Sequence, residues 1–122
     1  ILTTIEILGH GPKIPELTGT GAGQLWGLFA QGSPPLLGRI DKTDGSVDTT
    51  FELPMINPQY TQAYAFAFWG GDFYIFHRSV TDPSSVVFKL DPSTGVITTE
   101  NADLGHVIVG AGVSTCAPTT SE

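Results

Sequence analysis

The 122 residues carry five basic side chains against twelve acidic ones, a formal charge of −7 at pH 7, with 40% hydrophobic and 14% charged residues. That balance excludes a disordered chain and makes nonspecific attraction to nucleic acid or to anionic membranes unfavourable. Fifteen glycines and nine prolines among short runs rich in Val, Ile, Thr and aromatics point to strands and turns, and no apolar run reaches the length of a membrane-spanning helix.

The first residues, Ile1 to Leu8, alternate Thr and Glu with aliphatics and read as a strand rather than a signal peptide. A start at Ile1 without Met suggests a removed leader or N-terminal portion, or a piece of a longer protein. A first unit spans 16–54: a strand Leu17 to Ala22, a strand in Gly23-Gln24-Leu25-Trp26-Gly27-Leu28-Phe29, a strand ending Leu36-Leu37-Gly38-Arg39-Ile40, and a strand within Ser46 to Leu53. A second unit spans 64–104. Tyr64 to Trp69 opens it, and Gly71-Asp72-Phe73-Tyr74-Ile75-Phe76-His77 follows, 48 residues beyond its counterpart. Leu90-Asp91-Pro92-Ser93-Thr94-Gly95 then matches Ile40-Asp41-Lys42-Thr43-Asp44-Gly45 at a spacing of 50, and Val96 to Leu104 closes the unit. His106 to Ser114 looks like the first strand of a following unit, which makes ten strands with the leading one.

The two Asp-x-x-(Thr/Asp)-Gly segments have a physical reason for their spacing. An aspartate carboxylate accepts hydrogen bonds from N–H groups two or three residues on, and the glycine supplies the positive φ that closes the turn. Apolar alternation on either side of each turn predicts a hairpin. Each unit thus holds four antiparallel strands in about 50 residues.

The repeat, with its Asp-x-x-Thr-Gly turn, resembles the blades of β-propeller proteins, among them quinoprotein-like and other bacterial repeat propellers. The resemblance spans nearly the whole chain but rests on one short motif per blade. It implies an all-β fold of two four-stranded blades with a partial strand at each end. Quinoprotein blades commonly carry a tryptophan after the turn; Ser46 to Leu53 and Val96 to Leu104 hold none, so no quinone cofactor is carried over. A propeller closes with about four to eight blades. Two blades would therefore need further ones, from another chain, another segment or identical copies, and a segment of a longer propeller is favoured over a self-assembled ring.

Residues that could carry chemistry are few. His10, His77 and His106 lie far apart, and no metal-ligand spacing joins them or Cys116. Asp41, Asp44, Asp72, Asp82, Asp91 and Asp103 offer hard oxygens for calcium but match no dedicated loop, and Asp41 and Asp91 are committed to their turns. Ser33, Ser79 and Ser114 have no recognisable base, and Gly19, Gly21 and Gly23 lack the dinucleotide-binding spacing. No catalytic, metal or cofactor site is assigned.

Tyr64, Phe66 and Phe68 share one strand face and are expected to pack between blades. Trp69 at its strand end, Trp26 aligned with Tyr74, Asp72, and the pair His77-Arg78, expected in solvent at the start of a loop, form the ligand-contact set. The favoured function is a noncatalytic binding module for a protein partner or a carbohydrate. The alternatives are a propeller hydrolase, lyase or lactonase using Asp72 and His77 as acid and base, or a purely structural module. The acidic balance suits an exported protein, extracellular or periplasmic.

Overall fold

The computed structural model describes residues 6–7, 11–12, 15–114 and 118–120. They form strands and no helix. A two-stranded antiparallel pair, β1 (Glu6–Ile7) with β2 (Gly11–Pro12), two residues each, precedes two antiparallel four-stranded sheets. The first sheet runs β3 (Glu16–Gly19), β4 (Leu25–Phe29), β5 (Leu36–Ile40), β6 (Val47–Glu52), each strand beside its successor. The second repeats that meander in β7 (Thr61–Trp69), β8 (Asp72–Ser79), β9 (Val86–Leu90), β10 (Ile97–Asn101).

Both aspartate turns close as their chemistry predicts. Asp41 Oδ1 accepts from the Thr43 N–H at 2.7 Å, and Asp91 Oδ1 from the Ser93 N–H at 2.8 Å. Gly45 and Gly95 each donate back to the aspartate carbonyl at 2.7 Å with φ of 77° and 74°. Hydroxyl and backbone donors from Thr43, and from Ser93, hold both carboxyls below the usual aspartate range.

The sheets pack face to face. Trp26, Leu28 and Leu37 of the first join Phe66, Phe73, Ile75 and Leu90 of the second in one core. The Trp26 ring centroid lies 4.8 Å from that of Phe73, a tilted contact across the interface. Phe66 and Phe68 flank Phe73 within β7 and β8, so the expected inward face of β7 is the observed one.

Alternation within β4 and β5 sends Leu25, Gly27, Phe29, Leu36, Gly38 and Ile40 to the outer side of the first sheet. Phe29, Leu36 and Ile40 are buried there. The Phe29 ring lies across Gly27: a Cβ at Gly27 would stand 2.9 Å from Phe29 Cε2, and one at Gly38 would stand 2.6 Å from Val47 Cγ1.

The chain ends depart from expectation. The leading strand expected over Ile1 to Leu8 falls mostly outside the described residues, of which only Glu6–Ile7 is strand. His10 and Cys116 also lie outside them. His106 to Ser114 form no strand. They are anchored instead by two serines in the β8–β9 loop: Ser85 N–H donates to the His106 carbonyl at 2.9 Å, and Ile108 N–H to Ser85 Oγ at 2.9 Å. Ser84 Oγ donates to Asp103 and accepts from the Gly105 N–H at 2.9 Å. β propensity in Val107, Ile108 and Val109 makes no strand where no neighbouring strand offers a ladder.

Candidate functional site

The five ligand-contact candidates divide between two environments. Trp26 is 4% exposed, packed on Phe73 and Phe51, and its Nε1–H donates to Gln24 Oε1 at 3.2 Å. It is core. His77, expected in solvent, is also 4% exposed, because alternation along β8 turns it inward beside Ile75 while its neighbour Arg78 turns outward. The ring Nε2 lies 2.9 Å from Thr61 Oγ1, and desolvation lowers the imidazole below its ordinary value, against a smaller raising effect of Asp82.

Trp69, Asp72 and Arg78 lie together on the outer face of the second sheet. Trp69 and Asp72 stand opposite one another across the β7–β8 hairpin, and Arg78 stands opposite Ala63 at the far end. Arg78 is held by Gln62 Oε1 and by the Asp82 carbonyl at 3.2 Å. Between these ends the face carries Ala65 and Val87, both buried, with Ala67, Tyr74, Phe76 and Lys89, all partly buried. Asp72 and His77, the acid and base of a catalytic reading, are on opposite sides of β8 and are not brought together.

At the turn end, the outer face adjoins a cleft of about 430 Å3 lined by Gly70, Gly71, Asp72, Asp91, Ser93 and the C-terminal Thr119 and Thr120. The C-terminal residues form its wall because Gly70 N–H donates to the Pro118 carbonyl at 2.9 Å. Gly71 has φ of 93°, and a Cβ there would meet the Thr119 carbonyl oxygen at 2.9 Å, so this approach requires glycine twice over. Trp69, 53% exposed, stands across the β7–β8 hairpin from Asp72. Among the described residues no three His, Cys, Asp or Glu side chains gather into a metal-binding group.

The repeat spacing and the ladder registers together reveal what the sequence reading missed. Trp26, Leu28 and Leu37, which face the second sheet, align with Tyr74, Phe76 and Val87, which face outward. Conversely Leu25 and Ile40 on the outer side of the first sheet align with Phe73 and Leu90 on the inner side of the second. The second sheet therefore stacks on the first by a head-to-tail operation. Its outer face repeats, position by position, a face that in the first sheet is covered by another sheet. Applying strand alternation to the aligned units would have signalled this. No family model matches the chain, and no curated protein matches it.

Proposed function

We propose that the chain is a noncatalytic interaction module built of two β-propeller-type blades, whose open outer face receives a further blade of the same repeat. The observation that carries this reading is the alignment of Tyr74, Phe76 and Val87 with Trp26, Leu28 and Leu37. A head-to-tail stack has no internal stop, so each added sheet presents again the face that the previous one used. Tyr74 and Phe76 are only partly buried and belong to neither core cluster, although Ala65 and Val87 beside them are buried, whereas on the outer face of the first sheet Phe29, Leu36 and Ile40 are all buried. Growth therefore runs from the second sheet. The occupant that fits is a four-stranded sheet presenting branched aliphatics and aromatics in the pattern of Phe73, Ile75, Phe88, Leu90 and Ile97.

The test adds that sheet. Duplicating residues 56–105 in tandem after Gly105 keeps the 50-residue spacing of the aspartate turns. The longer chain is expected to melt in one transition several degrees above the natural chain, as coupled repeats do. Phe76→Asp in the first of the two copies should erase the gain while leaving the melting of the natural-length chain nearly unchanged. A third sheet that unfolds separately, with no gain for the first two, refutes the reading.

A further inference from the structure

We propose that His77 is an acid-sensitive latch, a neutral imidazole that pins the turn through which the chain enters the second sheet and releases it when a second ring proton arrives. The inference stands apart from sheet docking, because it concerns the inner side of β8 and the connection between the sheets. It begins with a bulge. Thr61 stands opposite Ser79 and Ala63 opposite Arg78, so Gln62 is an extra residue in β7. Strict alternation back from Tyr64, the residue opposite His77, would set Thr61 on the side of Arg78. With the bulge, the Gln62 amide goes to Arg78 instead, and Thr61 Oγ1 reaches His77 Nε2 at 2.9 Å.

Proton counting fixes the tautomer. Thr61 Oγ1 donates its one proton to the Asn57 carbonyl at 2.9 Å, an atom that can only accept. Toward the imidazole the hydroxyl is therefore an acceptor, so Nε2 carries the ring proton and Nδ1 is bare. The Asn57 carbonyl also accepts from the Tyr60 N–H at 3.1 Å, and the Tyr60 carbonyl accepts from the Val80 N–H at 2.9 Å. The relay from His77 through Thr61 thus closes the 57–60 turn and ties it to the chain just beyond β8. An added proton must go to Nδ1, on a residue 4% exposed, and among the described residues Nδ1 has no hydrogen-bond partner. The titratable groups of the elements around the ring are Tyr64, opposite it on β7, Tyr60 in the turn and Asp82 in the β8–β9 loop; β9 offers Val86. Asp82, which accepts from the Ser79 N–H at 3.0 Å, is the charged group that attracts an imidazolium there. Desolvation and the pull of Asp82 therefore act against the bond to Thr61, and the charged ring leaves it for water.

Protection of the turn should be full above pH 6.5, the ordinary imidazole value, and decline as pH falls toward the lower folded value. Two measurements on the natural chain test this without any variant. Histidine nitrogen NMR at neutral pH should show Nε2 protonated and Nδ1 bare in His77. Hydrogen exchange followed through the titration should show the protection factors of the Tyr60 and Val80 amides dropping by up to about tenfold per pH unit. The Gly45 and Gly95 amides, bonded within the aspartate turns, should keep theirs. His77→Gln, whose amide N–H can replace Nε2–H but takes up no proton, should keep the turn closed throughout that range. Thr61→Val should leave the turn open at neutral pH, and Thr61→Ser should restore both its protection and the pH dependence. A bare Nε2 in the natural chain, protection at Tyr60 and Val80 that ignores the titration of His77, or a loss that spreads equally to Gly45 and Gly95 overturns the proposal.

Discussion

The two sheets share a repeat, a strand order and a turn chemistry, yet equivalent positions have opposite surroundings. Trp26 lies in the interface and its counterpart Tyr74 lies on the outer face, partly buried; Leu25 is on the outer side and its counterpart Phe73 is at the centre of the core. The first sheet has glycine at 27 and 38 where the second has Ile75 and Phe88. Hollowing that face lets Phe29 lie flat across it, while the second sheet projects bulk from the same positions into the core. The energetic weight of a repeat position therefore comes from the neighbour it meets and is not a property of the repeat.

The sharpest way to break this comparison is to truncate an aligned pair. Trp26→Ala removes a buried ring that touches Phe73 and should cost about 3–5 kcal/mol. Tyr74→Ala should cost about 1 kcal/mol, because the ring is only partly buried and lies outside both core clusters. Urea denaturation with equal m-values would measure both. Equal losses would mean that the two faces are equally packed.

The glycine asymmetry predicts the next effect. Gly38→Ala places a Cβ at 2.6 Å from Val47 Cγ1 and should cost about 1–3 kcal/mol by overpacking. Thermal melting of this variant checks it, and an unchanged midpoint would show that Val47 yields freely.

Acid should have the smallest effect. His77 is neutral in the folded chain and its value is depressed, so the folded state resists the proton that the unfolded state accepts. Stability should be full above pH 6.5 and fall as pH drops through the lower folded value. Replacing His77 with Phe, the residue at the equivalent position 29, should remove that step and leave a second one. The second begins below 3.8, where Asp41, Asp91 and Asp103, all depressed by hydrogen bonds, lose their charge. Stability curves against pH for the natural chain and His77→Phe should diverge only on the acid side of neutrality; identical curves would place the imidazole in solvent.

Local chemistry made much of the fold legible. Asp41 and Asp91 announce their turns because an aspartate, its N–H donors and a positive-φ glycine are a few residues apart in the chain. Tyr64, Phe66 and Phe68 announce an inward face through simple alternation. Of the ligand-contact candidates, Trp69, Asp72 and Arg78 share a face, and Trp26 and His77 do not reach it.

The sequence by itself determined an all-β chain, two units of four strands, and the positions of their turns, because those features depend on neighbours within a few residues. Only the tertiary structure decided which face of the first unit meets the face of Tyr64, Phe66 and Phe68. Strands β4 and β8 are apolar on both sides, so alternation divides their residues into two faces without saying which one another sheet will cover. It also decided that Val107 to Val113 stay outside any strand, since a strand requires a partner and the described residues supply none there. Head-to-tail stacking is a relation between surfaces some fifty residues apart, and that relation separates a buried Trp26 from a partly buried Tyr74.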